Sequence, residues 1–399
     1  VSRIVLVTGP DPGHALPVLG VARALRSRGH DTVVATGTQH AELVELEGHR
    51  FVELPLLAPT SRDHDFGHVL WRRAGEMAPP LRDLLAPLEP DGVVTDTLTT
   101  VGRFVAELLG VPWIEVVPHH LLDPDPLVPP IGMGRPLART PWRRRSDASI
   151  RAAQRRSVEE GHELRDEVRE RLGLTALTRA AARLFQTLPG LEPPRSVWPA
   201  DAHVVGQLAI DPPLQPLPEP DGDAPLIVVT DSTASGLPAP LGAMALDGLR
   251  KAGVRVVVTS GRDDLVGWPG ATVGRGPHEP LLERAAVAVG PGGGGFVAKA
   301  LTRGVPLVVV PLAGDQRETA GRVAHSGAGV QVPPDRATPH RLARAVRTVL
   351  RDAAFATAAR RLADTAVGLG ADHAAGIVEA ALAGDAPVAT AAGGPDGRA

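Results

Sequence analysis

The chain has 399 residues, 43% hydrophobic and 22% charged, with a formal net charge of -3 and no cysteine. That length suits two domains, each able to bury its own core. The charge argues against general nucleic-acid binding, which needs a basic field, and the missing thiols exclude disulfides, thiolate catalysis and cysteine zinc sites.

The opening VSRIVLVTG enters a strand at residues 4–8 and carries neither the charged nor the long apolar region of a leader peptide. No run approaches the ~18 apolar residues of a membrane span, so a cytoplasmic protein without a membrane anchor is expected. Further strands are predicted at 32–35, 51–54, 92–95 and 113–117, and a helix over 16–27, where Leu16, Leu19, Val21, Ala24 and Leu25 recur at helical spacing. Residues 121–175 read as a polar insertion: a proline-rich loop, LLDPDPLVPPIGMG, then a charged helix from about 149 to 172. The arginines between Arg143 and Arg156 would suit an anionic surface, but acids from Glu159 onward favour a solvated helix. A last strand of this half is predicted near 184–187.

At 210–225 the segment IDPPLQPLPEPDGDAP breaks the rhythm and reads as a linker. Beyond it strands are predicted at 226–230, 254–259, 287–290 and 307–310, with helices at 237–252, 295–303 and 315–325. Strands alternating with helices predict an α/β protein of two doubly wound, Rossmann-like domains with a cleft between them. The expected division is an amino-terminal domain over 1–209, the linker over 210–225, a carboxyl-terminal domain over 226–383 and a disordered tail over 384–399.

In such sheets ligands sit beyond the carboxyl ends of the strands. The first exit, GPDPGHALP, places His14 at a helix N-terminus, which disfavours imidazolium, so a neutral base near physiological pH is predicted. With the fourth strand beside the first, Asp96 in VVTDTLTT would meet His14 and hold its tautomer. Asp96 would otherwise only cap the following helix, and Asp11 is a rival partner.

The densest motif lies in the second half, VAVGPGGGGFVAKALTRGVPLVVVPLAGDQ. A buried strand feeding Gly292, Gly293, Gly294 and Gly295 and then a helix presents bare N–H groups to a phosphate. Asp231, Ser232 and Thr233 leave a neighbouring strand, and Asp315 and Gln316 open a helix, where they would grip sugar hydroxyls or merely cap it. The turn holding Arg275 and His278 could meet a base. His119 and His120 have no companions at metal-ligand spacing, so no metal is expected.

These residues resemble the inverting, nucleotide-sugar-dependent glycosyltransferases of GT-B fold, of the bacterial antibiotic-modifying and plant secondary-metabolite type. The likeness spans the chain from the Gly13–Pro17 turn to about Val330 and is strongest from Pro277 to Gly329. It implies that His14 deprotonates an acceptor hydroxyl, that Asp96 orients His14, and that PLVVVPLAGDQRETAGRV carries the sugar-contacting pair Asp315 and Gln316. It implies a UDP or dTDP sugar as co-substrate and no cofactor; the loop from His119 to Arg135, with Leu121, Leu122, Leu127, Val128, Ile131 and Met133, would either overlie a small hydrophobic acceptor or cover the domain's own core. Ser232, Thr233, Arg275, His278, the four glycines and Phe296 complete the expected donor site.

The family's loop reads His-Gly-Gly-x-Gly-Thr/Ser, whereas here Pro291 and Phe296 stand at the histidine and hydroxyl positions. A hydrogen bond to a charged group is worth roughly 1.5–3 kcal/mol, so losing the histidine predicts donor binding weaker by about 10- to 100-fold. Thr319 stands where the family often has Asn, and Asp231 adds a negative charge near the expected phosphates. These departures keep a second reading open: a glycosyltransferase-like binding protein with a decayed donor site. A sugar-nucleotide epimerase is a distant third.

Overall fold

A computed structural model describes residues 1–58, 67–175, 178–231, 241–312 and 314–385. Apolar β-branched runs build the first sheet from β1 (Arg3–Val7), β2 (Asp31–Thr36), β3 (Arg50–Glu53), β4 (Gly92–Asp96), β5 (Trp113–Val117), β6 (Ala182–Phe185) and β7 (Ala202–Val204). All are parallel, in the order β3-β2-β1-β4-β5-β6-β7. Its helices are α1 (Pro12–Ser27), α2 (Ala41–Leu46), α3 (Ala74–Leu85), α4 (Val101–Leu109) and α5 (Pro141–Arg171).

The second sheet contains β8 (Leu226–Thr230), β9 (Arg255–Thr259), β10 (Ala271–Gly274), β11 (Ala285–Gly290), β12 (Leu307–Val309) and β13 (Gly329–Gln331), in the order β10-β9-β8-β11-β12-β13. Around it lie α6 (Leu241–Leu249), α7 (Glu279–Leu282), α8 (Gly294–Thr302), α9 (Gln316–Ser326), α10 (Pro339–Arg351) and α11 (Ala353–Thr365). Both sheets are the doubly wound type predicted, buried on both faces as parallel sheets must be.

The last helix, α12 (Ala371–Leu382), crosses back to the first sheet. Ala374, Ile377, Val378 and Ala381 share a core with Ile4 and Leu6 of β1 and with Leu19 of α1. Residues 371–382, expected in the second domain, therefore pack on the first.

Helix α5 starts earlier than the predicted 149, because Thr140 caps it, accepting from the Arg143 N–H at 3.3 Å, with Pro141 in the first turn. Strand β7 follows the strand expected to be last in its half. Along the proline-rich connection, Ile210 is buried in the first core, Leu217 packs on the second, and Asp211 pairs with Lys299. Residues 386–399, within the expected tail, lie outside the described residues. Among the described residues no helix is long and apolar enough to cross a membrane.

Candidate functional site

Parallel pairing of β1 with β4, in register from Ile4–Gly92 to Val7–Thr95, brings two strand exits side by side. His14 lies in the first turn of α1, whose cap is Asp11, accepting from the Gly13 N–H at 2.7 Å. Asp11 is thus occupied as a cap. Asp96 is the carboxylate that meets His14, at 2.9 Å between Nδ1 and Oδ1.

The Asp96 side chain is fully buried, while that of His14 stays 18% exposed. Three backbone N–H groups donate to that carboxylate, Leu98 at 2.8 Å, Gly9 at 3.2 Å and Thr99 at 3.2 Å, together with the Thr99 hydroxyl. Capping and pairing, posed as rivals from sequence, are both performed. Burial works to raise the Asp96 pKa, but the His14 contact and these donors hold it below the usual carboxylate value.

His14 departs from the expectation. Burial works to lower its pKa, yet the hydrogen bond and charge of Asp96, with smaller help from Asp11 and Asp315, raise it above the ordinary histidine value. The helix end is a partial charge beside a full buried one, so the carboxylate wins. With Asp96 ionised, Nδ1 carries the proton, and Nε2 has no protein partner among the described residues.

Across the cleft, the glycine turn leaves β11. Gly292 has φ +95, and a Cβ there would lie 2.8 Å from Val309 Cγ1 and 3.2 Å from the Gln316 carbonyl oxygen, so the turn reaches the Asp315–Gln316 corner only as glycine. Val297 N–H is the first to close onto the loop, at 3.1 Å from the Gly293 carbonyl oxygen. The amides of Gly294, Gly295 and Phe296 are thus left without intrahelical acceptors at the positive end of α8. Opposite them stands the first domain: a Cβ on Gly294 would collide with the Pro118 carbonyl oxygen, and one on Gly295 would touch Ala209 at 3.4 Å. Where these walls meet, a cavity of about 10 Å³ remains beside His119, Gln186, Gly294 and Thr319, room for about one water.

Phe296 does not enter that gap. It is 8% exposed, belongs to the second core and sets its ring edge-on to His278 at 5.0 Å. His278 lies under the sheet edge, with Nε2 2.8 Å from Thr259 Oγ1 and 3.3 Å from Thr230 Oγ1. Burial, then the Lys299 charge, push its pKa down to about 4. Lys299 is itself paired with Asp211. Pro291 is buried too.

Asp231 spends its carboxylate on the Gly242 N–H at 2.9 Å and on Ser260 Oγ at 2.6 Å. Ser232 and Thr233 lie outside the described residues. Arg275 is exposed, its guanidinium beside Gly261. Gln316 Oε1 accepts from the Leu312 N–H at 2.8 Å and so shapes the turn it was expected to project from. Asp315 caps nothing with its side chain, and its charge is felt by His14 and His119 in the first domain.

The loop at 119–135 splits its apolar residues. Leu121 and Val128 are buried, Leu121 beside Val117 and Phe185, while Leu127 and Met133 are exposed. Among the described residues no three His, Asp or Glu side chains converge as metal ligands.

Sequence reading missed Thr99 and the buried ion-pair group of Glu192, Glu318 and Arg322 that His120 joins. Thr99, three residues beyond Asp96 in DTLTT, was available as a local partner. Glu318 and Arg322 are an i,i+4 pair on one helix, but Glu192 joins them from 130 positions away and His120 joins Glu192 from 72, which no local pattern shows.

Residues 244–377 match the family described as erythromycin biosynthesis protein CIII-like, C-terminal domain. The chain is 31% identical to 4'-demethylrebeccamycin synthase of Lentzea aerocolonigenes, over 91% of this chain and 95% of that protein. It is 28% identical to the O-mycaminosyltylonolide 6-deoxyallosyltransferase of Streptomyces fradiae, over 94% and 97%. Among solved structures, the glycotransferase of kitacinnamycin superposes with a TM-score of 0.77 at 23% identity, over 95% of this chain and 98% of that one. SsfS6, a glycosyltransferase of Streptomyces sp. SF2575 solved with thymidine diphosphate, gives 0.70 at 22% identity, over 95% and 99%.

Proposed function

The chain belongs to the GT-B-fold, nucleotide-sugar-dependent glycosyltransferases of the antibiotic-modifying type, and on that premise we propose that it moves a hexosyl group from a nucleoside-diphosphate sugar to a hydroxyl of a small, largely apolar natural product. His14 is the general base, Asp96 orients it, no metal takes part, and the anomeric configuration inverts. A cytoplasmic setting is part of the same proposal.

The observation that carries this reading is the 2.9 Å contact of His14 Nδ1 with Asp96, which leaves Nε2 as an acceptor of protons beside the charge of Asp315. The acceptor hydroxyl gives its proton to Nε2 as its oxygen bonds to the anomeric carbon. The opposite bond, to the diphosphate oxygen, breaks and takes the electron pair with it. The amides opening α8 and the dipole of that helix stabilise the charge as it departs. Asp315 and Gln316 stand at the head of α9 to hold the sugar, and Arg275 lies exposed where a base would arrive.

Two departures that suggested a decayed donor site have other accounts in the structure. Phe296 packs in the core, and the Asp231 charge is met by an amide and a hydroxyl. The relatives named above are a synthase and a deoxyallosyltransferase by name, and thymidine diphosphate sits in SsfS6, which favours a dTDP sugar here, with UDP the alternative to test.

The test is transfer from UDP- and dTDP-sugars to a panel of hydroxylated apolar aglycones, read by mass spectrometry and by the anomeric proton coupling of the product. An α-linked donor giving a β-linked product is expected. A retained configuration, or no binding of any nucleoside diphosphate by calorimetry, contradicts the proposal.

A further inference from the structure

Helix α9 carries Asp315 and Gln316 at its head, and two turns on it is fastened to the first domain. Arg322 donates through Nη1 to Glu192 Oε2 at 2.6 Å, through Nε to Glu318 Oε1 at 2.9 Å and through Nη2 to the Leu121 carbonyl oxygen at 3.3 Å. Glu192 in turn accepts from His120 at 3.2 Å. Side-chain exposure is 8% for Arg322, 5% for Glu318 and 0% for Glu192. The Arg322 charge and the His120 contact outweigh burial and bring the Glu192 pKa down to about 2.

A second fastening lies at the far end of the same loop. Gly134 N–H donates to Glu318 Oε2 at 3.2 Å. Gly134 takes φ +57, a Cβ on it would collide with the Arg317 carbonyl oxygen, and one on Gly321 would lie 2.5 Å from the Gly134 carbonyl oxygen. Loop and helix touch backbone to backbone. Helix α9 thus grips the loop near both its ends, at Leu121 and at Gly134.

We propose that Arg322 is a positioning residue: by clasping Glu192 and Leu121 it sets the register between the His14–Asp96 pair on one domain and the Asp315–Gln316 turn on the other. The helix between Arg322 and Asp315 is about 10 Å of rigid rod at 1.5 Å per residue, so fixing one end fixes the other. His119, next to the clasped His120 and Leu121, feels the charges of both Asp315 and His14, so the base and the sugar turn both lie near the clasped loop. Only about 10 Å³ remains where the glycine loop meets Pro118, so the two domains are in close contact there, and the clasp holds them in that one geometry.

The inference rests on the proposed function in taking His14 and Asp315–Gln316 as halves of one site. The cysteine-free chain allows a test that needs no turnover: nitroxide labels on Glu45→Cys in α2 and Asp247→Cys in α6, both exposed, read by pulsed electron resonance. One narrow interdomain distance is expected for the parent, and loss of that single peak for Arg322→Met, with Arg322→Lys between them. In transfer assays Arg322→Met should lose about 100-fold in kcat, the scale of a 1 Å misplacement, while its dTDP Kd stays within about threefold. A narrow, parent-like distance in folded Arg322→Met overturns the proposal. If that variant does not fold, Glu192→Gln carries the same expectation and the same overturning result. Failure here leaves His14 as base untouched, and transfer by His14→Ala would leave the clasp untouched.

Discussion

Phe296 turns away from the helix end it follows and sets its ring edge-on to His278, centroids 5.0 Å apart. The residue at the family's hydroxyl position is therefore a core residue. Phe296→Ala should cost about 3–5 kcal/mol of stability, the usual price of a buried aromatic, measured by chemical denaturation. Phe296→Thr should destabilise as well and should not tighten dTDP binding measured below its melting temperature, since the ring occupies core rather than the gap at Gly294.

Asp96 holds the His14 pKa up, so the acid limb of the kcat/KM profile, which reports the free enzyme, should lie above about 6.5. Asp96→Asn removes the charge and leaves burial, the opposing influence, in command. The limb should move to lower pH and kcat should fall by at least about 100-fold, in a pH series of initial rates. A limb that stays in place contradicts the assignment. The charged pair stabilises the fold between the depressed pKa of Asp96 and the raised pKa of His14. That contribution fades as pH rises through the His14 value or falls through the Asp96 value.

Gly292 and Gly293 stand side by side and should respond differently. Gly292→Ala meets a positive φ and Val309, and backbone strain of this kind costs on the order of 1–3 kcal/mol, with a lower melting temperature and weaker dTDP binding expected together. Gly293 has φ -61, and a Cβ there meets nothing within 4 Å among the described residues. Its Ala variant should melt with the parent.

Both sheets were legible because strands such as β1, β8, β9 and β12 are runs rich in Val, Ile and Leu between turn residues, and the meeting of His14 with Asp96 followed from placing the fourth strand beside the first. Strands such as β7 and β13 are three residues long and carry no period of their own. The role of Phe296 was readable in part: Phe296, Val297, Ala300 and Leu301 recur at helical spacing and are all buried. The pKa direction at His14 was not, because a helix end is local and the buried carboxylate arrives from 82 residues away. Nor was the return of α12 to the first core, since its apolar face would suit either sheet.

The central claim is that His14 takes the acceptor's proton. The direct measurement is paired, transfer by His14→Ala together with its dTDP affinity by calorimetry. The account predicts no transfer above the enzyme-free background, with a dTDP Kd within about threefold of the parent. Transfer by His14→Ala at a rate near that of the parent would contradict it.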